Sequence, residues 1–155
     1  MTTHNSSILA RAIALAASAH VNQTDKRGEP YILHTLKVMY LLKSKDEELM
    51  AIAVLHDAVE DQGVTYQQLR ELGMSNRIIE GIRAMTTQLG QTPEEYMEGL
   101  YANIDAAQVK LSDLRHNSDF RRLKGTSPKD EERLIKYARM YYDLNQYLNH
   151  TAAKP

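Results

Sequence analysis

Apolar residues return every three to four positions along almost the whole chain, and no run of alternating β-branched residues interrupts them. That period predicts helices rather than sheet. Ser6 or Ser7 caps a first helix that runs to about Val21. Asn22 to Pro30 is polar, contains a glycine and reads as a loop. A second helix covers about Ile32 to Leu42. A third is capped near Asp46, runs to about Glu60 and is stopped by Gln62-Gly63. Thr65 and Gln68 have capping-box spacing and open a short fourth helix. Ser75 caps a fifth that reaches Met85. Thr92-Pro93-Glu94-Glu95 joins an N-cap, a first-position proline and two early acids, a strong helix start. The next helix begins near Asp105 and carries Val109 to Asn117. Ser127-Pro128-Lys129-Asp130 opens a long C-terminal helix, about 128–149, with Leu134, Tyr137, Ala138, Tyr141, Leu144 and Leu148 on one face. The pattern describes an all-α bundle of about seven to eight helices.

The third helix differs from the others. A run of small apolar residues, Met50 to Leu55, leads directly into His56-Asp57 and then Glu60-Asp61. A helix that is apolar nearly all round is buried. Buried imidazoles and carboxylates are costly unless they are paired or hold a metal. His56 and Asp57 point about 100° apart and can both reach an ion above the helix. Glu60 lies one turn on from both, and Asp61 one turn on from Asp57. Taken alone, a histidine beside an aspartate also reads as an ordinary N–H to carboxylate pair. A second polar face, Asp113 with Asn117 and Ser112 with His116, ends the apolar approach Val109-Lys110-Leu111. It reads either as a solvated edge or as part of a site. His34, after Pro30-Tyr31-Ile32-Leu33, reads by itself as a core histidine. His116 either faces a substrate or pairs with a neighbour. His4, His20 and His150 read as structural or surface residues.

Composition narrows the chemistry. The 155 residues, 43% hydrophobic, suit one domain spanning 1–155. No stretch of about 18 apolar residues suggests a membrane span. No Lys or Arg precedes the apolar Ile8–Ala19 segment, which argues against a secretory signal. There is no cysteine, so a metal would rest on His and carboxylate, which favours Mn²⁺ or Fe²⁺ over structural zinc. A cytoplasmic protein fits this composition best. The net charge of −1 gives no global reason to bind nucleic acid or membrane. A local basic stretch, Arg115, Arg121, Arg122 and Lys124, is opposed only by Asp119. With one Phe and no Trp there is no aromatic platform for bases. Tyr137, Tyr141 and Tyr142 read as core or dimer contacts, which leaves a homodimer open.

The order His34, His56-Asp57, Asp113 resembles the HD superfamily of metal-dependent phosphohydrolases. More closely, three segments look like the hydrolase domain of RelA/SpoT-type enzymes. They are Lys26-Arg27-Gly28-Glu29-Pro30-Tyr31-Ile32-Leu33-His34, Leu55-His56-Asp57-Ala58-Val59-Glu60-Asp61, and Val109-Lys110-Leu111-Ser112-Asp113-Leu114-Arg115-His116-Asn117. The resemblance covers roughly Ala10 to Asn117, and the chain is about the length of that domain alone, like the small alarmone hydrolases. It implies that His34, His56, Asp57 and Asp113 bind one metal ion, usually Mn²⁺. It implies that Glu60 and Asp61 position and deprotonate water, that Asn117 holds a ribose, and that Lys26 and Arg27 line the base or phosphate side. Lys110 and Arg115 are further basic groups that could balance a diphosphate. Thr35 stands where the family commonly has proline. The implied reaction is 3′-pyrophosphohydrolysis of (p)ppGpp-type alarmones, with (p)ppApp equally compatible. A nucleotide phosphatase acting on NADPH is the enzymatic alternative. A nucleotide-binding HD module without activity is the other.

Overall fold

The computed structural model describes residues 6–123 and 125–154. His4 and Lys124 lie outside the described residues. Eight α-helices follow in chain order: α1 (Ile8–Ala19), α2 (Ile32–Leu41), α3 (Glu47–Gln62), α4 (Tyr66–Glu71), α5 (Asn76–Met85), α6 (Pro93–Tyr101), α7 (Ile104–Asn117) and α8 (Pro128–Ala152). A 3₁₀ turn, Phe120–Arg122, sits between the last two and had no counterpart in the sequence pattern. An isolated antiparallel bridge joins Thr24 to Pro30 across the loop before α2. Among the described residues no helix is long and apolar enough to cross a membrane.

The helix starts follow from side chains that accept otherwise unpaired N–H groups. Ser7, Asp46, Ser75, Asn103 and Ser127 each cap a helix in this way. Thr65–Gln68 and Thr92–Glu95 form complete capping boxes. Gly63 ends α3 with a left-handed φ of 69° that a side chain would resist. Two differences from the sequence reading are small: α1 stops at Ala19, with buried His20 as its C-cap, and α3 continues to Gln62.

Helix α3 is the axis of the bundle. It packs against α1, α2, α5 and α7, and every residue from Ala51 to Ala58 is buried. Small residues make the close approaches: Ala12 and Ala16 of α1, and Ala51, Ala53 and Ala58 of α3, are fully buried. Gly81 of α5 is the tightest case, because a Cβ there would lie 2.5 Å from Ile52 Cδ1. Salt links fix the helix ends: Arg77 of α5 reaches Asp46 (2.7 Å) and Glu48 (3.2 Å) at the start of α3, and Asp105 (2.8 Å) at the start of α7.

Helix α8 covers α7, and its buried face is not quite the expected one. Leu144 is fully buried, and Tyr137, Met140, Tyr141 and Leu148 pack against the core. Tyr142 is 66% exposed, and Ala138 is exposed as well. Tyr142 is therefore not a core residue, and Met140 rather than Ala138 packs against the core.

Gly81→Ala is expected to destabilise the protein by about 1–3 kcal/mol, since the methyl overpacks a closed core. Adding Ile52→Val removes the clashing carbon, so the double variant should be more stable than the two single effects summed. Urea midpoints of the four proteins measure both quantities.

Candidate metal centre

Three helices meet at one buried point. His34 comes from the first turn of α2, His56 and Asp57 from the middle of α3, and Asp113 from α7. All four are buried. The ligand atoms of His34, His56 and Asp57 lie within 4.8 Å of one another. Asp113 Oδ1 is 3.1 Å from His34 Nε2 and 3.6 Å from His56 Nε2. Asp57 Oδ2 is 3.1 Å from His56 Nε2 and 3.5 Å from His34 Nε2.

Proximity here is not hydrogen bonding. Neither Nε2 makes a hydrogen bond, although carboxylate oxygens lie beside both. Each nitrogen points past the nearest oxygen rather than at it. A buried polar atom without a partner costs about 1–3 kcal/mol, and here two such atoms face the same place. The tautomer agrees. His56 Nδ1 lies 2.6 Å from the carbonyl of Ala53, which can only accept, so Nδ1 carries the hydrogen and Nε2 keeps its lone pair. Two imidazole lone pairs and two carboxylates fit a divalent transition-metal ion.

The surrounding groups hold these four in place. Tyr31 donates its hydroxyl to Asp57 Oδ2 at 2.7 Å. Lys110 Nζ bonds Asp113 Oδ2 at 2.9 Å, and Asn117 Nδ2 bonds Asp113 Oδ1 at 2.9 Å. His34 Nδ1 meets His116 Nδ1 at 2.7 Å. Burial raises the Tyr31 hydroxyl pKa well above its ordinary value, with the Asp57 charge adding to it, so Tyr31 stays a donor. Burial works against ionising Asp57 and Asp113, yet His56 beside the first and Lys110 beside the second hold both carboxyls well below their usual range. Burial also opposes protonation of His34 and His56, but the two aspartates outweigh it and raise both imidazoles. A metal ion at this point would compete with protons for the two Nε2 lone pairs.

Glu60 and Asp61 flank the cluster on different sides. Glu60 accepts from the hydroxyl of Thr87 and lines a cleft of about 330 Å³ with Tyr96, Lys110, Lys136 and Tyr137. Asp61 accepts from Gln23 Nε2 at 3.4 Å, and Gln23 in turn contacts His20 Nδ1 at 2.6 Å. Burial, then the nearby Asp57 charge, raises the Asp61 pKa above the ordinary carboxylate value. A second cleft, about 320 Å³, is lined by Lys26, Tyr31, Asn117, Arg122, Arg133 and Tyr137. Both clefts adjoin cluster residues.

The basic residues read from the sequence divide between places. Lys26 and Asn117 line the second cleft and Lys110 the first, although Lys110 and Asn117 also hold Asp113. Arg27 is exposed and lines neither cleft; its Nη1 donates to the Arg121 carbonyl at 3.3 Å. Arg115 is exposed and lines hollows with Tyr141 away from the cluster. Arg121 pairs with Asp119 at 2.7 Å, and Arg122 reaches Asp25 at 3.4 Å, so two cations of the basic stretch are paired. Sequence reasoning missed Thr87, Gln23, Arg122 and Tyr137 as neighbours of the site. Thr87 carries no local signal, since it sits 27 positions from the acid it bonds.

Comparison with known proteins agrees with this geometry. The family model described as HD domain matches residues 12–142. The chain belongs to the HD-domain family. Within it, this HD domain is 31% identical to a probable guanosine-3′,5′-bis(diphosphate) 3′-pyrophosphohydrolase of Synechocystis sp., over 87% of the chain and 19% of the relative. It is also 31% identical to the bifunctional (p)ppGpp synthase/hydrolase SpoT of Escherichia coli, over 82% of the chain and 19% of the relative. The chain thus spans about a fifth of the length of these curated relatives. A solved structure of a metazoan ortholog of SpoT that hydrolyzes ppGpp shares the fold. It superposes with a TM-score of 0.72 at 22% identity, over 92% of this chain and 88% of that one.

Mn²⁺ at about a hundred times its Kd should stabilise the native state by about 2.7 kcal/mol. Asp57→Asn, which removes one ligand charge, should abolish that thermal shift. Calorimetric melting with and without Mn²⁺ measures both.

Proposed function

We propose that this HD domain is a metal-dependent 3′-pyrophosphohydrolase of (p)ppGpp-type nucleotides, working with one Mn²⁺ in the cytoplasm. The observation that carries the reading is the pair of partnerless imidazole nitrogens on His34 and His56 facing Asp57 and Asp113, with Glu60 and Asp61 one turn further along α3. The names of the relatives support the substrate class.

In this reading His34, His56, Asp57 and Asp113 hold the ion, which supplies a lowered water pKa and neutralises phosphate oxygens. Asp61 takes the proton from the attacking water. Its carboxylate stands one turn beyond Asp57 on α3, and Gln23 holds it there. Glu60, tied to Thr87, lines the neighbouring cleft on the other side of the cluster and would orient the substrate phosphates and water there. The water oxygen bonds to the phosphorus carried on the ribose 3′-oxygen, and that P–O bond breaks. Pyrophosphate departs, and the 3′-oxygen takes up a proton from solvent to become the ribose hydroxyl, giving GDP or GTP. Lys26, Asn117 and Arg122 face a nucleotide in one cleft, and Lys110 offers positive charge in the other. Arg27, outside both linings, is at most an outer contact on the phosphate side.

Products from ppGpp, ppApp and NADPH, resolved by anion exchange with Mn²⁺ or with chelator, test the reading. The expected result is Mn²⁺-dependent pyrophosphate from ppGpp. Phosphate from NADPH, with no pyrophosphate from either alarmone, would replace it with the phosphatase reading. Binding of all three without turnover would replace it with a binding module.

Glu60→Gln combined with Asp61→Asn should keep Mn²⁺ affinity and lose roughly 10²–10⁴-fold in kcat, because the base is gone while the ligands remain. Turnover of the double variant at the parent rate would remove both residues from the mechanism.

A further inference from the structure

Four groups form the cluster, and three of them have an evident support. His56 donates to a backbone carbonyl, Asp57 accepts from Tyr31, and Asp113 is held by Lys110 and Asn117. The remaining member, His34, has one polar contact behind it, the imidazole of His116. The two Nδ1 atoms are 2.7 Å apart, closer than face-to-face rings allow, and the ring planes differ by only 16°. The rings therefore meet edge to edge, almost coplanar, with the centroids 5.0 Å apart. Two nitrogens in that arrangement share one hydrogen: one donates and the other must offer a lone pair.

We propose that His116 is a positioning residue of the metal centre, its Nδ1 accepting the Nδ1–H of His34 and so committing the His34 Nε2 lone pair to the ion. The reverse arrangement would place the hydrogen on Nε2, the atom that faces Asp57 and Asp113 and finds no hydrogen-bond partner. The outer ring nitrogen of a ligand histidine is ordinarily occupied in this way, by a carboxylate, carbonyl or water that fixes tautomer and ring orientation. Here a second imidazole takes that place. Helix α7 supplies it from the turn after Asp113, so one helix both provides a ligand and orients another. The backbone around it is held too, since Arg122 Nη1 donates to the His116 carbonyl at 3.1 Å and to Asn117 Oδ1 at 3.1 Å. His116 touches neither the ion nor substrate in this scheme and acts only through His34.

The inference rests on the metal centre of the proposed function and not on its substrate. Mn²⁺ alone is the probe. Metal-free parent, His116→Ala and His116→Asn are titrated with Mn²⁺ by calorimetry. His116→Ala removes the acceptor and should weaken Mn²⁺ binding by roughly 10–100-fold. His116→Asn places its carbonyl oxygen close to the lost Nδ1 and should recover most of the affinity. Parent-like affinity in the alanine variant, or an equal loss in both variants, overturns the assignment. Should the alanine variant fold poorly, nitrogen NMR of the parent loaded with diamagnetic Zn²⁺ decides instead. A proton-bearing Nδ1 on His34 is expected, and a bare Nδ1 overturns the assignment. Failure of the substrate reading looks different: a parent that binds Mn²⁺ yet releases no pyrophosphate.

Discussion

Moving a carboxylate out of water costs several kcal/mol even after relaxation, and this molecule buries two of them, Asp57 and Asp113, beside two buried imidazoles. That cluster is the constraint on which the rest is organised. Its members come from three helices far apart in sequence, so it exists only while α2, α3 and α7 keep their register. The dense packing around α3 keeps that register. Fully buried alanines on α1 and α3, and a glycine under Ile52, leave no room for a larger side chain at these positions.

The second constraint is orientation. Each ligand side chain has a rear contact that turns it toward the common point, and those contacts use ordinary chemistry: a carbonyl, a phenol, an amine, an amide and an imidazole. Lys110 and Asn117 show how a residue type read from a motif can carry two duties. Both line clefts beside the cluster, yet both are also bonded to Asp113. Charge on the cleft side and order on the ligand side come from the same atoms.

Glu60 and Asp61 illustrate what a helix can and cannot arrange. Adjacent residues diverge by about 100°, and here their different partners draw the two carboxylates apart. One turns to α5's end at Thr87 and the other to the loop at Gln23. The environments differ accordingly: Asp61 sits near the Asp57 charge and is pushed toward the neutral form, while Glu60 faces the cleft that Lys110 lines. Adjacency in sequence has produced two separate positions around one centre.

Most of the helical order was legible in the sequence because its signals are local. Caps such as Asp46, Ser75 and Thr92, and the stop at Gly63, act within a turn of themselves. His56 and Asp57 stood out because a buried polar pair on an apolar helix has few explanations, and a motif resemblance added His34 and Asp113, which the fold brings beside them. Ala138 was misplaced on the buried face of α8, where Met140 packs against the core instead. The partners Thr87 and Gln23, and the identity of the neighbour that His116 pairs with, were beyond reach for a different reason. Hydrogen bonds spanning 27 to 82 positions depend on where whole helices lie, and no local pattern encodes that. Sequence alone determined which groups are present and which helix carries each. Tertiary structure decided which atoms face one another, because only packing sets the distances that turn two histidines and two aspartates into a centre.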